Sequence, residues 1–132
     1  MVMATGLRVL LGKGADHLDA YLGARGHWVS CCPDEQSAIR TARSRAQDVV
    51  ILDLDVHEDD PFQLARSIRA ATLWRKPLFV ALSQADAFDD SACSAAGFDL
   101  LLLKPVEPAQ LASFLGRFQA VVDEYESFDP MI

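Results

Sequence analysis

The stretch VVILDLD, residues 49 to 55, runs from four apolar residues straight into Asp53, and Asp55 follows two positions later. A continuous apolar run of this kind is typical of a parallel strand that helices cover on both faces. A carboxylate at the end of a buried strand loses its hydration, which costs free energy unless nearby groups compensate it. Asp53 is therefore the first candidate functional residue.

Four more short apolar runs flank this stretch and alternate with segments of helical periodicity. Strands are predicted at 7–11, 27–31, 48–53, 77–82 and 99–103, and helices at 34–44, 61–71, 87–97 and 108–128. A short helix is also expected to begin near Asp16 and Asp19. The alternation predicts a doubly wound (βα)5 domain of the α/β class, with a five-stranded parallel sheet between helices. One domain is expected over residues 1–132, with a core of about 6–126 and a short C-terminal tail.

Composition excludes several classes of function. The net charge is −7 and the sequence pI is about 4.7, so direct binding to nucleic acid or to an anionic membrane is not expected. No apolar run is long enough to span a bilayer. Cys31, Cys32 and Cys93 show neither a disulfide framework nor metal-ligand spacing, and they predict small buried side chains in a cytoplasmic protein. Trp28 is expected to lie partly in the core.

Three polar residues stand at the ends of neighbouring predicted strands. Asp53 ends the third strand, Ser83 follows the fourth and Lys104 follows the fifth. The carboxyl ends of parallel strands share one edge of the sheet, so these side chains should converge there. A carboxylate can accept a phosphoryl group as an acyl phosphate, while an ammonium and a hydroxyl bind the phosphoryl oxygens. The constellation predicts phosphoryl chemistry.

The stretches DVVILDLDVHEDDPFQLARSIR, PLFVALS and AAGFDLLLLKP resemble the response-regulator receiver domain of the CheY-like superfamily. The resemblance covers nearly the full chain and implies the flavodoxin-like strand order 2-1-3-4-5. It also implies that Asp53 is the phosphoacceptor of a two-component phosphorelay, with a histidine kinase or a phosphotransfer protein as donor. Ser83 and Lys104 take the positions of the family's other two site residues, and a cis peptide bond is implied between Lys104 and Pro105.

The sequence departs from that family where the family carries an acidic, Mg²⁺-binding pair after the first strand. The pair falls on Gly12-Lys13 or on Lys13-Gly14, and neither alternative supplies an acid. A lysine there should repel Mg²⁺, so Asp53 is left as a metal ligand of a weak or absent site, and no other cofactor is expected. We expect Lys13 to lie within ion-pair reach of Asp53. The family's aromatic switch residue is replaced by Leu101.

These departures predict an atypical, degenerate receiver that is not an enzyme. It is expected to have impaired Mg²⁺-dependent phosphorylation and to act through contacts with a kinase, a phosphotransfer protein or a downstream protein. The apolar stripe of the last predicted helix continues through Val121, Val122 and Tyr125, which favours a homodimer or a partner surface there.

One enzyme alternative stays open. The pattern of an apolar strand followed by Asp53, one residue and Asp55 also resembles the haloacid-dehalogenase-like phosphatases and phosphotransferases. That resemblance implies a nucleophilic Asp53 and a general acid/base Asp55. It also requires a later strand that ends in acidic residues, whereas the segment after Lys104 predicts a helix.

Overall fold

The structure, a computed structural model, describes residues 6–56, 60–73, 75–84 and 89–127, with side chains up to residue 124. Strands and helices alternate along the chain, and a short 3-10 turn (Asp16–Leu18) precedes the first helix. The elements are β1 (Arg8–Leu11), α1 (Asp19–Ala24), β2 (Trp28–Cys31), α2 (Glu35–Ser44), β3 (Val49–Asp53), α3 (Pro61–Ala71), β4 (Leu78–Ser83), α4 (Asp90–Ala95), β5 (Leu100–Leu103) and α5 (Pro108–Ser127).

The five strands form one parallel sheet in the order β2-β1-β3-β4-β5. Leu11 pairs with Ile51, and Asp53 with Leu82 in the next pair of strands. Ser83 pairs with Leu103 at the end of β5. The predicted fold class and strand order are confirmed. Because the chain turns to opposite sides after β1 and β3, a crevice opens at the carboxyl ends of these two neighbouring strands.

Helices cover both faces of the sheet, which explains the continuous apolar strands. All five residues of β3 are buried, and alternate residues belong to different core clusters. One cluster joins the sheet to α2, α3 and the end of α4, and the other joins it to α1 and α5. Removal of this apolar surface from water is the main driving force for folding. The largest fully buried side chains are Phe79, Leu7, Leu10, Leu11, Leu18, Leu22, Ile51, Leu52, Ile68, Leu82, Leu111 and Leu115.

Local sequence signals fix the starts of the helices that border the crevice. Asp34 caps α2 by accepting a hydrogen bond from the backbone N–H of Ser37, whose hydroxyl completes a capping box. Asp60 accepts from the N–H of Phe62, and Pro61 stands at the first position of α3. These are the residue types that helix starts favour.

Two expectations about apolar side chains are wrong. Trp28 is 55% exposed because it lies on β2, the edge strand, beyond the helices that cover the sheet. Cys31 is exposed on the same strand, whereas Cys32 and Cys93 are buried as expected. Among the described residues, no helix is both long and apolar enough to cross a bilayer.

Candidate functional site

The sheet register brings the predicted site residues to one edge. Asp53 ends β3 with 2% of its surface exposed, and Ser83 ends β4 with none exposed. Lys104 directly follows β5, and its backbone N–H donates to the carbonyl of Ser83. The Lys104–Pro105 peptide bond is cis, as the resemblance implies. The convergence that the strand ends predict is present in the structure.

The ammonium group of Lys104 binds two carboxylates. Its Nζ lies 2.9 Å from Oδ1 and 2.7 Å from Oδ2 of Asp53, and 3.0 Å from Oδ2 of Asp55. Burial lowers the pKa of Lys104, but the hydrogen bonds and charges of the two aspartates outweigh burial and raise it overall. Lys104 is therefore a fixed positive charge between Asp53 and Asp55 at neutral pH.

Asp55 is an integral part of this site. The backbone N–H of Gln84 donates to its Oδ2 over 2.9 Å, and the Ser83 hydroxyl lies 3.3 Å from its Oδ1. Burial raises the pKa of Asp55, yet the bonds from Lys104 and Gln84, the lysine charge and the Ser83 hydroxyl lower it overall. Receiver resemblance gave Asp55 no role, although its spacing from Asp53 was the signal that suggested the enzyme alternative.

The hydroxyl of Ser83 contacts Asp55 and Gln84 rather than Asp53 in the described part of the chain. Its Oγ lies within hydrogen-bond distance of Asp55 Oδ1 and of the Gln84 carbonyl oxygen, at 3.3 Å and 3.1 Å. Asp53 Oδ1 instead accepts from the backbone N–H of Asp55 over 2.9 Å. The hydroxyl thus contacts the site through the second aspartate.

The expected ion pair between Lys13 and Asp53 is wrong. Extending the β1–β3 register beyond Leu11 and Ile51 puts Lys13 level with Asp53, but its side chain is exposed. Within the described residues, the ion pairs of Asp53 do not include Lys13. Lys13 instead lines a separate depression of about 160 Å³ beside Asp34 and Glu35.

Gly14, rather than Lys13, is the loop residue against the Asp53 carboxylate. A Cβ at Gly14 would lie 3.1 Å from Asp53 Oδ2 and 2.5 Å from a methyl group of Val56. The backbone φ of Gly14 is 89°, a value that residues with a side chain rarely adopt. The close approach and the positive φ together explain why glycine, and not a residue with a side chain, fits at position 14 beside Asp53.

His17 is a site residue that sequence reasoning missed. It lines an open cavity of about 550 Å³ together with Asp53 and Lys104. The cavity is completed by Gly14, Leu82, Pro105 and Val106. His17 Nδ1 lies 3.0 Å from the Gly14 carbonyl oxygen, which can only accept, so this bond requires a proton on Nδ1. No ligand spacing in the sequence marked this histidine, because the loop after β1 brings it to the site.

Asp53 and Asp55 are the two carboxylates of the crevice that a magnesium ion could use as ligands. Mg²⁺ takes near-octahedral oxygen ligands, usually carboxylates and waters. Here Asp53 and Asp55 already share the Lys104 ammonium. No group of three or more metal-ligating side chains occurs in the part of the chain that the structure describes.

Comparison with solved structures identifies the fold. The receiver domain of the sensor histidine kinase PA1611 from Pseudomonas aeruginosa PAO1 has 27% sequence identity and a TM-score of 0.70, over 86% of this chain and 97% of that one. The chain has the CheY-like receiver fold. The chemotaxis response regulator CheY4 of Vibrio cholerae matches with 21% identity and a TM-score of 0.73, over 86% of this chain and 98% of that one. The PA1611 structure holds a magnesium ion in its active-site cleft.

The other comparisons add little. A receiver domain from Methylobacillus flagellatus has 22% identity and a TM-score of 0.71, over 86% of this chain and 98% of that one. Neither the protein-family models nor the curated proteins give a match. The haloacid-dehalogenase-like alternative gains no support, because the neighbours named here are receiver domains and α5, not another strand, follows β5 among the described residues.

Proposed function

We propose that this chain is a receiver module of two-component signalling in which Asp53 holds the phosphoacceptor position, with Ser83 and Lys104 as its partners. We further propose that its Mg²⁺-dependent phosphorylation is impaired and that it works through protein–protein contacts in the cytoplasm rather than as an enzyme. The receiver fold and the placement of Asp53 in the crevice support the first part.

One observation carries the second part: the ammonium of Lys104 already bridges Asp53 and Asp55. Phosphoryl transfer needs a cation beside the transferring phosphoryl group to neutralise its negative charge. In a receiver with an acidic pair, Mg²⁺ supplies that cation. The acidic pair would fall on Gly12-Lys13 or on Lys13-Gly14, and neither alternative supplies an acid, so the positive charge beside Asp53 comes from Lys104. The carboxylate is then compensated without metal, but the transferring phosphoryl group lacks the metal bridge.

The experiment is incubation with acetyl phosphate, with and without Mg²⁺, followed by intact-mass measurement. We expect the fraction that gains one phosphoryl group to be small and to be the same under both conditions. Asp53→Asn is the control for site specificity, and a receiver that retains its acidic pair is the positive control. Stoichiometric, Mg²⁺-dependent labelling that Asp53→Asn abolishes would refute impaired phosphorylation and leave an ordinary receiver.

The last helix supplies the contact surface in this proposal. Val121 is 62% exposed on α5, and Leu103 on the neighbouring edge strand is 54% exposed. A cavity of about 320 Å³ lies between β5 and α5, lined by Leu102, Val106 and Phe114 among others. Exposed apolar surface of this kind marks interfaces, either with a second copy or with a kinase, a phosphotransfer protein or a downstream protein. The side chain of Tyr125 lies outside the described residues.

Light scattering together with Val121→Glu tests that surface. If the chain forms a homodimer through α5, the wild type should show a mass that rises with concentration, and Val121→Glu should remain monomeric. A monomeric wild type at high concentration would leave only the contact with a different protein, and unaltered dimerisation of Val121→Glu would place the contact elsewhere.

A further inference from the structure

One segment of this acidic protein carries only positive charge. The net charge is −7, yet residues 36–47 contain Arg40, Arg43 and Arg45 and no acidic residue. This segment forms most of α2 and the turn that follows it, and all three arginines are exposed. A local field of the opposite sign to the whole protein is a feature that attracts a complementary partner.

An exposed aromatic residue lies next to this charge. Trp28 and Arg8 are direct neighbours in the β1–β2 register. The Arg8 guanidinium carbon lies 5.1 Å from the centre of the Trp28 ring, within the range of a cation–π contact. This contact holds Trp28 in place while 55% of its surface remains accessible. An ordered and accessible tryptophan loses little conformational entropy when a partner covers it.

Arg8, Trp28 and Arg45 line one depression of about 420 Å³, which we call the Arg8–Trp28 patch. Its lining is Arg8, Trp28, Ser30, Ser44, Arg45, Ala46 and Gln47. The patch lies where β1 and β2 begin, at the opposite end of the strands from Asp53. It is therefore separate from the candidate phosphoryl site.

Asp48, the acid that contacts the Arg8 backbone, pairs with an arginine outside the patch. Asp48 receives the Arg75 guanidinium on Oδ1 over 3.0 Å and the backbone N–H of Arg8 on Oδ2 over 2.8 Å. No ion pair of the described residues engages the guanidinium of Arg8 or Arg45. The guanidinium groups of Arg8 and Arg45 thus keep N–H donors that can bind a carboxylate.

A buried acceptor at the same place also lacks a donor. Gln47 is 5% exposed, and its Oε1 has no hydrogen-bond partner in the described part of the chain. A buried amide oxygen without a donor costs free energy.

We propose that the Arg8–Trp28 patch binds an acidic, extended peptide segment of a partner protein. Tryptophan and arginine are the residues that most often dominate binding energy at protein interfaces. Among the described residues, β2 is the edge strand beside the patch and pairs with β1 alone, so an extended segment can add to its other edge through backbone hydrogen bonds. A short peptide meets only the patch, whereas a long polyanion also meets the repulsion of the −7 net charge.

Isothermal titration calorimetry with a hexaglutamate peptide tests the proposal on the full chain. We expect saturable binding that weakens as salt rises, with a dissociation constant below about 1 mM. The double variant Arg8→Glu/Arg45→Glu should weaken binding at least tenfold, and so should Trp28→Ala, which keeps both charges. Arg66→Glu, an exposed charge reversal on α3, should bind as the wild type does. Circular dichroism melting checks that every variant is folded.

Three results would overturn the proposal. The first is no saturable binding up to about 1 mM peptide at low salt. The second is equal loss of affinity in Arg66→Glu and in Arg8→Glu/Arg45→Glu, which would mean a non-specific charge effect. The third is tighter binding of a single-stranded DNA oligomer than of hexaglutamate, lost in the same variants, which would assign the patch to nucleic acid instead.

Discussion

Lys104 Nζ lies within 2.9 Å of both carboxylate oxygens of Asp53, so that the buried acid and the half-buried base form one charge-compensated unit. The side chain of Asp53 is 3% exposed and that of Lys104 is 28% exposed. Loss of hydration makes the carboxylate depend on this lysine, because no cation of the described residues other than Lys104 forms an ion pair with it. The unit therefore contributes to the stability of the fold.

Removal of the lysine should destabilise the protein more than removal of both partners. In Lys104→Met, Asp53 and Asp55 face each other without a cation, and we expect the free energy of unfolding at pH 7 to fall by about 3 kcal/mol. Asp53→Asn in the same chain should recover most of that loss. Urea unfolding of the two single variants and the double variant measures the coupling. Additive losses would show that the pair contributes nothing as a unit.

The fold could be predicted from the sequence because the strands and helices have their own local sequence patterns. The apolar run of β3, the Pro61 start of α3 and the glycine after α4 predicted boundaries within a few residues of those observed. Of the candidate site, only the residues at the strand ends could be predicted from the sequence. The positions of the Lys13 and His17 side chains depend on the backbone of the loop after β1, in particular on the φ of 89° at Gly14. Apolar periodicity carries no information about such a loop.

Asp55 should make the free energy of unfolding depend on pH in the acidic range. Since the pKa of Asp55 in the folded protein is below its ordinary value of 3.8, its contribution is full above that pH. It is lost as the pH falls through the lower, folded-state pKa. Asp55→Asn should therefore be less stable than the wild type at pH 6, and the difference should shrink toward pH 2. Unfolding by guanidinium across this range checks the prediction, and a difference independent of pH would contradict it.

His27 should destabilise the fold at mildly acidic pH. Burial lowers its pKa from 6.5, and its Nδ1 accepts the backbone N–H of Leu7 over 3.0 Å, which only an unprotonated Nδ1 can do. Unfolded chains then bind the proton more readily, so stability is full above pH 6.5 and falls as the pH drops toward the folded-state pKa. Urea midpoints at decreasing pH should decline in the wild type and less in His27→Gln. An equal decline in the two proteins would contradict this role of His27.

Gly14 should not tolerate a side chain, because a Cβ would press on Asp53 and Val56 and the φ is positive. Gly14→Ala is expected to lower the free energy of unfolding by about 1–3 kcal/mol. Gly116→Ala is the matched control on α5, where nothing lies within 4 Å of the added carbon. That change should stabilise the protein by about 0.5–1 kcal/mol. Thermal unfolding distinguishes the two, and a neutral Gly14→Ala would mean that the loop is not held against Asp53.

Magnesium affinity should depend on the charge at position 13, although Lys13 does not contact Asp53. The β1–β3 register places the backbone of this position level with Asp53, so its charge acts through space on a cation at Asp53, although the Lys13 side chain lines the neighbouring depression. Lys13→Asp changes the local charge by two units, and we expect it to tighten Mg²⁺ binding by at least about tenfold. Lys13→Ala removes the positive charge alone and should have a smaller effect. Lys76→Asp, an exposed charge change before β4, controls for net charge and should leave affinity unaltered.

Nuclear magnetic resonance titration of these variants with Mg²⁺ provides the measurement, with Asp53→Asn to show that any binding uses the crevice. A second acid at position 14 is not an option, since Gly14 accepts no Cβ, and at position 12 a Cβ would lie 2.8 Å from a methyl of Leu52. The single change at Lys13 is thus the sharpest test of the idea that this crevice relies on its lysine instead of a metal. Wild-type binding at millimolar Mg²⁺ or tighter, dependent on Asp53 and unaffected by Lys13→Asp, would refute it and restore an ordinary metal-dependent receiver.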